Sequence, residues 1–462
     1  MKKGMKKVVS LLLALVMVLG LAACGGSGND NSNSSSGSNS SSGSNSSSGS
    51  NSSSGGKLTV WALADDMKQF GERYTEQTGT EVEVVVIAPA DYPTKLQTAI
   101  RGNDTSVDII MGEPQMLEDM YAYGAFADLD ALGAGDYAGQ ITDYVWEFGK
   151  DDAGVQRSVS YQVTPAGLYY RRDIAEEVFG TSDPEEIGKL FSDYDTILKT
   201  AQTLKDAGYR CFASDSEMNY FSNDEPWVVD GKLNVSQGRL DYMDMVIDLY
   251  QKDLTAYCAA WSTPWYLAMG GPVPILTAED NVWDENFAEN TADSPTVEVF
   301  SFALPTWGTL TLRDHVGELS GKWGVCAGPN YGYGGGSFLG VSELSKQKDL
   351  AWDFVKFCTL NEETADWWIE KSEGDVVSLI SAQEKHKDDE NPVYGNQKLY
   401  AMWSELAQHI DPSIVTSYDT AIGDAWGAAI GKVKIGEATK EDAINEFYDK
   451  VASTFPELTI ER

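Results

Sequence analysis

The chain has 462 residues, with 34 Lys and Arg against 71 Asp and Glu, so its formal net charge is −37. Phosphate recognition and attachment to anionic lipid both depend on basic residues, so this balance argues against nucleic-acid binding and against a basic membrane-binding face. Hydrophobic residues make up 42% of the chain, which excludes global disorder. An apolar run of near membrane length occurs only at the N-terminus, which excludes a polytopic membrane protein.

The first residues have the pattern of an export signal. Lysines within the first seven residues precede an apolar run from Val8 to Leu21. At about 14 residues this run is shorter than the roughly 20 that a transmembrane helix needs. Leu21-Ala22-Ala23-Cys24 then resembles a bacterial lipobox, which implies cleavage before Cys24 and a lipid on its thiol. Residues 1–23 are therefore predicted to be a lipoprotein signal peptide.

The segment that follows is predicted to be a flexible tether. Residues 25–56 are almost wholly Ser, Asn and Gly, a composition that cannot bury apolar surface. Such a coil extends on the order of 30 Å between its ends. Residues 24–56 are thus expected to hold a folded body just outside the cell membrane, on its outer face, through the lipid on Cys24.

The folded part begins with alternating strands and helices. Strands are predicted over 58–63, 82–87 and 107–111. The helices that follow them are indicated by apolar faces, each ending at a glycine. The first face is Met67, Phe70 and Tyr74 before Gly79, the second is Leu96, Ala99 and Ile100 before Gly102, and the third helix is residues 114–123 before Gly124. This order predicts a parallel sheet with helices on both faces.

The later chain is richer in helical patterns. Apolar stripes predict helices over 193–207, 236–254 and 349–360. Thr439 and Asp442 resemble a capping box before a further helix. Trp352, Trp367 and Trp368 stand on predicted helices at core-like spacing, so we expect them to pack inside the protein.

Cysteines and acidic side chains give little sign of a metal site. Beyond Cys24, the cysteines are Cys211, Cys258, Cys326 and Cys358; a disulfide is permitted outside the cell, but none has CxxC spacing. Buried free thiols are the expected state, because three of the four lie in apolar patterns. The acidic loop 278–290 matches no EF-hand, so a solvated loop is favoured over a Ca²⁺ site. Trp283 within it is either a cleft lid or a buried anchor.

Five segments, in order, carry a resemblance to a known family. The first three strands and helices, including TGTEVEV and SVDIIMGEPQMLEDMYAYGAFADL, resemble the start of extracellular solute-binding proteins of family 1, the maltose-binding branch. The further segments that follow in the family's order are Ala166–Asp173, Trp261–Trp265 with Val299–Trp307, Gly321–Val325 with Gly334–Ser337, and Asp349–Phe357. The resemblance covers essentially all of residues 57–462.

The resemblance implies a two-lobe periplasmic-binding-protein fold, an α/β architecture of type II in which hinge strands join two lobes that close on a ligand like a flytrap. Each lobe is discontinuous: an N-terminal lobe of 57–163 and 330–372, and a C-terminal lobe of 164–329 and 373–462. Ligands in open α/β sheets lie beyond the carboxyl ends of the strands. The site is therefore expected on the loops that follow them.

The resemblance also implies site residues. Aromatic rings cover the flat C–H faces of sugars, while carboxylates and amides bind the hydroxyls. By position, Tyr220 and Trp307 match stacking residues, and Asp65 matches a hydroxyl-binding acid. Gln115 and Thr164 stand where the family usually has acids, which alters the polar half of the site. The further candidates for contact with the ligand are Glu113, Glu217, Trp261, Tyr331 and Tyr333.

The function that the resemblance implies is that of a lipid-anchored substrate-binding protein of an ABC importer for an oligosaccharide. Its partners would be the sugar, a two-subunit permease with its ATPase, and the membrane through the lipid; a monomer is expected, with no cofactor, metal or nucleic acid. A polyamine or other cation binder of the same fold is the alternative, and would need several converging carboxylates in the cleft. A secreted glycosidase, which would need two carboxylates about 5–10 Å apart, and an adhesion module are disfavoured.

Overall fold

The computed structural model describes residues 56–462. The predicted signal peptide (1–23), the predicted lipid-attachment residue Cys24 and the linker up to residue 55 lie outside the described residues. Within the described part, no helix has both the length and the apolar character that crossing a membrane requires.

Two larger sheets and two short ribbons contain the strands. In chain order, the strands among residues 56–462 are β1 (Lys57–Ala62), β2 (Glu81–Val86), β3 (Ile109–Gly112), β4 (Val159–Ser160), β5 (Ala166–Arg171), β6 (Arg210–Phe212), β7 (Val228–Val229), β8 (Lys232–Leu233), β9 (Val273–Pro274), β10 (Thr296–Val297), β11 (Val299–Pro305), β12 (Trp323–Ala327) and β13 (Phe338–Val341).

Helices cover both sheets. In the described residues the α-helices are α1 (Asp66–Thr78), α2 (Tyr92–Arg101), α3 (Pro114–Ala122), α4 (Asp143–Phe148), α5 (Arg172–Phe179), α6 (Pro184–Gly188), α7 (Tyr194–Asp206), α8 (Gln237–Gln251), α9 (Thr263–Gly270), α10 (Phe287–Asn290), α11 (Gly308–His315), α12 (Lys348–Thr359), α13 (Glu362–Ser372), α14 (Ile380–His386), α15 (Leu399–Ala407), α16 (Asp419–Lys434) and α17 (Lys440–Thr454).

The first lobe is built on a five-stranded sheet with the order β2-β1-β3-β13-β4. β1 pairs in parallel with β2 and β3, whereas β13 runs antiparallel to β3 and β4. The parallel start that the β-α-β-α-β pattern predicts is thus confirmed. β13 comes from much later in the chain, so this lobe is discontinuous.

α1 shows why the sequence folds as predicted here. Met67, Phe70 and Tyr74 recur at helical spacing and are buried against the sheet. Gly79 ends the helix with φ +77°, a left-handed conformation that glycine adopts without a Cβ penalty, and its N–H donates to the carbonyl of Thr75.

The second lobe is built on a four-stranded sheet with the order β12-β5-β11-β6. β5 is antiparallel to both β11 and β12, and β11 is parallel to β6. All six residues of β5 are buried, and its alternation places Leu168 and Tyr170 in one core and Tyr169 in the other. The segments Ala166–Asp173 and Gly321–Val325, which carry part of the family resemblance, are therefore largely strands of this sheet.

Backbone pairing among three crossing segments, residues 161–166, 332–335 and 376–378, connects the lobes. On one side, the N–H of Val163 donates to the carbonyl of Val376 at 2.9 Å. On the other, the N–H of Gly334 donates to the carbonyl of Thr164 at 3.1 Å. The first segment is thus hydrogen-bonded on both sides. The exact lobe boundaries given by the sequence remain a prediction.

The interior agrees with the predictions for cysteines and tryptophans. Cys211, Cys258, Cys326 and Cys358 are buried and free, which confirms the expected buried thiols. Trp352 and Trp368 are buried, and the half-buried Trp367 packs on Phe70 with ring centroids 5.4 Å apart. These three rings belong to the first lobe's core, as predicted.

A buried carboxyl supports the crossing segments. Oδ2 of Asp375 accepts hydrogen bonds from Gln162 Nε2 at 2.6 Å and Trp368 Nε1 at 2.7 Å. Burial raises the pKa of Asp375 to about 6, more than these hydrogen bonds lower it, and the nearby Asp66 raises it further. Asp66 itself bonds the hydroxyl of Tyr161 and has a pKa raised by burial.

Asp375→Asn is expected to flatten the pH dependence of folding stability. Between about pH 4 and 6 the folded protein retains this proton while the unfolded chain has lost it, so the stabilisation is complete below that range and disappears as pH rises through it. The free energy of unfolding lost through this group across that pH range is about 3 kcal/mol. Urea unfolding from pH 4 to 7 measures it.

The exposed Asp136→Asn is the matched control and should retain the wild-type slope. A variant at Asp375 with an unchanged slope would contradict the assignment.

Candidate functional site

The predicted site residues lie on loops beyond the carboxyl ends of strands of both lobes. Trp307 follows β11, and Tyr220 lies in a 3-10 helix, Glu217–Phe221, after β6. Glu113 and Gln115 follow β3, and Asp65 follows β1. This placement agrees with the general position of ligand sites in open α/β sheets.

The second lobe contributes a connected group of aromatic rings, which we call the aromatic wall and define as Tyr220, Trp261, Trp265 and Trp307. The Trp261 and Trp307 ring centroids are 5.6 Å apart with planes tilted by 31°. Trp265 lies 4.9 Å from Trp261 on the other side, and Tyr220 meets Trp307 edge-on at 5.9 Å. Trp265 is buried, whereas the other three are half-buried, so only those three retain accessible ring surface.

The backbone at Trp261 is strained. Its φ is +69°, a left-handed conformation that is unusual for a bulky side chain. Such outliers persist only where the surrounding structure fixes them, and they concentrate at binding and catalytic sites. The strain at Trp261 is therefore consistent with a functional role for the direction of its ring.

The glycine run at 334–336 lies beneath the wall. Trp307 Nε1 donates to the carbonyl of Gly334 at 3.0 Å, and Thr164 Oγ1 donates to the carbonyl of Gly335 at 3.1 Å. Thr164 is buried and accepts from Gly334 through its own carbonyl. Its polar groups thus hold the crossing segments together, and its side chain is occupied in this way.

The first lobe contributes an acid and an amide opposite the wall. Gln115 Nε2 donates to Glu113 Oε2 at 2.5 Å. Burial raises the pKa of Glu113, and the bond from Gln115 opposes that rise. Burial raises the pKa of Tyr220, and the charges of Glu217 and then of Glu113, which belongs to the other lobe, raise it further.

Beside Glu113 and Gln115 the two lobes meet in a contact region, which we call the seam and which includes Thr420, Tyr333 and Phe148. Thr420 Oγ1, at the start of α16, donates to the carbonyl of Gln115 at 3.2 Å. Tyr333 packs on Phe148 of the first lobe with ring centroids 5.3 Å apart. Burial raises the pKa of Tyr333, and the charge of Asp419 adds to that effect.

Two predicted residues stand apart from the aromatic wall. Tyr331 is 51% exposed and stacks on His409 at 4.4 Å, which leaves its ring at the surface. Asp65 is exposed and forms an ion pair with Lys68 at 2.5 Å. Neither shares a hydrogen bond or ring contact with the aromatic wall among the described residues.

Trp283 lies at the other end of β11 from Trp307. It is 63% exposed, and the loop that carries it precedes the strand whereas Trp307 follows it. Trp283 is thus not a buried anchor. Across residues 56–462, no three His, Cys, Asp or Glu side chains come together as a metal site would require.

Sequence reasoning missed Trp265, Phe148 and the start of α16. For Trp265 a signal was available: it stands four residues after Trp261, a spacing that brings side chains together near a helix start. For Phe148, Asp419 and Thr420 no local pattern points to the cleft, because only the closure of distant segments brings them there.

Comparisons with known proteins agree with this architecture. A family model described as bacterial extracellular solute-binding protein matches residues 69–390. No curated protein sequence matches the chain at a significant level.

Several solved structures are similar. The crystal structure of an extracellular solute-binding protein of family 1 is 18% identical, covers 86% of this chain and 99% of its own, and has a TM-score of 0.70. An ABC substrate-binding protein from Listeria monocytogenes in complex with cycloalternan is 18% identical, with coverage of 87% and 99% and a TM-score of 0.64. An ABC transporter associated binding protein from B. animalis subsp. lactis Bl-04, in complex with β-1,6-galactobiose, is 18% identical, with coverage of 88% and 100% and a TM-score of 0.62. At these identities the likeness concerns the fold, and the predicted two-lobe α/β fold is confirmed.

Gly334→Ala is expected to destabilise the protein and displace Tyr220. A Cβ at this position would overlap the Tyr220 ring and approach Cγ of Pro305 to 2.9 Å. Overpacking of this kind costs about 1–3 kcal/mol. The free energy of urea unfolding measures the loss.

Gly427→Ala is the control, since nothing lies within 4 Å of a Cβ at that exposed helical position. The control should be stabilised by up to about 1 kcal/mol. Equal effects at the two glycines would contradict the close packing at Gly334.

Proposed function

The chain belongs to the bacterial extracellular solute-binding proteins, as its motifs predicted, and from this premise we propose that its cleft binds an oligosaccharide for an ABC importer. The observation that carries the proposal is the pair of indole rings of Trp261 and Trp307, which are half-buried and tilted by 31°. Indole rings that are only partly buried can cover the apolar faces of sugar rings. The similar structures in complex with cycloalternan and β-1,6-galactobiose are consistent with this ligand class.

The polar half of the site would come from the first lobe. Glu113 and Gln115 combine a carboxyl and an amide at 2.5 Å, which is the mixture expected for sugar hydroxyls. A ligand that binds these groups must displace or share their mutual hydrogen bond. Groups that hydrogen-bond one arrangement of hydroxyls reject analogues that leave them unpaired, so this pair would contribute to selectivity.

Closure would couple the two halves of the site. A ligand that contacts the aromatic wall and Glu113 favours the state in which the lobes lie together, because only that state offers both sets of contacts. Hydrogen-bonded segments 161–166, 332–335 and 376–378 would serve as the hinge.

The remaining parts of the proposal come from the sequence. The lipobox at Cys24 and the Ser/Asn/Gly-rich tether would keep the binding protein on the outer face of the cell membrane. There it would deliver the sugar, as a monomer, to permease subunits with their ATPase.

A cationic ligand, such as a polyamine, is the second candidate. A cavity of about 260 Å³ beside the seam is lined by Glu118 and Glu147 together with Phe148 and other apolar residues. Burial raises the pKa of Glu118 to about 7, and the charges of Asp152 and Asp151 add to the rise. An ammonium group in this cavity would relieve that repulsion.

Trp307→Ala is expected to weaken sugar binding by about 1–3 kcal/mol, by analogy with aromatic rings that stack on nucleic-acid bases. Calorimetry of residues 57–462 against β-1,6-galactobiose, maltotriose, cycloalternan and spermidine measures the affinities. Trp283→Ala is the matched control, because this exposed indole lies at the far end of β11. Unchanged affinity in the Trp307 variant would remove this ring from the site, and binding of spermidine alone would favour the cationic ligand.

Cys24→Ser is expected to release the full-length protein from the membrane. Serine cannot form the thioether that would anchor the chain. Partition of the expressed protein between the detergent and aqueous phases measures the change. A variant that stays in the detergent phase would contradict lipid attachment at Cys24.

A further inference from the structure

A buried carboxyl lies directly behind the aromatic wall. Glu217 begins the 3-10 helix that carries Tyr220 and is only 4% exposed. Its Oε1 accepts a hydrogen bond from Trp265 Nε1 at 2.5 Å. Trp265 is itself 1% exposed and lies on α9, so this hydrogen bond joins two of the elements that carry the wall.

The hydrogen bond between Glu217 and Trp265 is connected to the ligand site through a series of packed aromatic rings. Trp265 packs on Trp261 at 4.9 Å and edge-on against Phe302 of β11 at 5.5 Å. Trp261 in turn packs on Trp307. Because Trp261 has a positive φ, its backbone needs support from its surroundings, and the buried Trp265 packs directly on its ring.

We propose that Glu217 is a positioning residue for the ligand site: it holds Trp265 in one orientation and thereby fixes the half-buried ring of Trp261 within the aromatic wall. The role differs from direct contact with the sugar, which the sequence suggested for this residue. This proposal rests on the proposed function only in assuming that the aromatic wall binds a sugar.

The surroundings of the carboxyl support this role. Burial raises the pKa of Glu217 to about 8, and the hydrogen bond from Trp265 opposes the rise. At pH 7 the group is therefore mainly neutral, and a neutral acid in a dry interior is far less costly than a charge. The nearby Asp215 raises the same pKa, and this aspartate is paired with Lys434 at 2.6 Å.

The other titratable groups that face the carboxyl titrate at higher pH. These are Cys258, whose pKa burial raises to about 12, and Tyr220 and Tyr242, whose pKa values burial raises further above the usual value of 10. A transition of the tryptophan signal between pH 7 and 9 would therefore report on Glu217.

Near-UV circular dichroism of the protein without ligand tests the positioning. Glu217→Gln retains an acceptor for Trp265 Nε1, so we expect the wild-type tryptophan bands at pH 7 and no transition near pH 8. Glu217→Leu removes the acceptor, so we expect these bands to lose the share of their intensity that comes from the aromatic wall while the far-UV spectrum is retained. The exposed Glu285→Leu is the matched control and should resemble the wild type. Unchanged bands in Glu217→Leu would overturn the proposal.

The pH profile decides the question if Glu217→Leu fails to fold. The wild type should show a transition near pH 8 that Glu217→Gln lacks; a transition that persists in Glu217→Gln would overturn the proposal. Calorimetry with β-1,6-galactobiose gives the functional readout: about tenfold weaker binding for Glu217→Leu and a change of less than about twofold for Glu217→Gln. If the wild type binds no sugar, the proposed function fails, while the spectra still decide the positioning role.

Discussion

The hydrogen bonds of the first crossing segment are the constraint on which the rest of the structure depends. Residues 161–166 pair with 376–378 on one side and with 332–334 on the other. Three chain segments remote in sequence are thereby fixed at one place, and the five-stranded sheet combines β1 to β4, from before the first crossing, with β13, from after the second. The glycine run that accepts from Trp307 and Thr164 belongs to the same place, so the hinge and the base of the cleft are one structural unit.

The two lobes contribute different chemistry to the cleft. The second lobe brings the aromatic wall, which is supported from behind by the hydrogen bond between Glu217 and Trp265. The first lobe brings Glu113 and Gln115, which bond each other. Aromatic rings and this hydrogen-bonded pair therefore come from different lobes, and under the proposed function a ligand would use both kinds of surface.

Local patterns predicted the parts of the fold that local physics determines. The stripe of Met67, Phe70 and Tyr74 predicted α1, and Gly79 predicted its end, because period and cap lie within one short segment. The pairing of β13 with β3 could not be predicted from a local pattern, since over two hundred residues separate the two strands. The same holds for the site: the resemblance pointed to Trp307, whereas the contact of Thr420 with Gln115 arises only from tertiary closure.

The seam between the lobes also bears on how closure is controlled. Where α16 meets α3, the direct hydrogen bond is that from Thr420 to the carbonyl of Gln115, at 3.2 Å and in an exposed position. An exposed neutral hydrogen bond contributes about 1 kcal/mol or less, so this contact gives the closed state little preference. A ligand shifts such an equilibrium only through contacts that one state has and the other lacks. Under the proposed function, contacts to the aromatic wall and to Glu113 at once exist only when the lobes are together, so a ligand would add to the preference for closure.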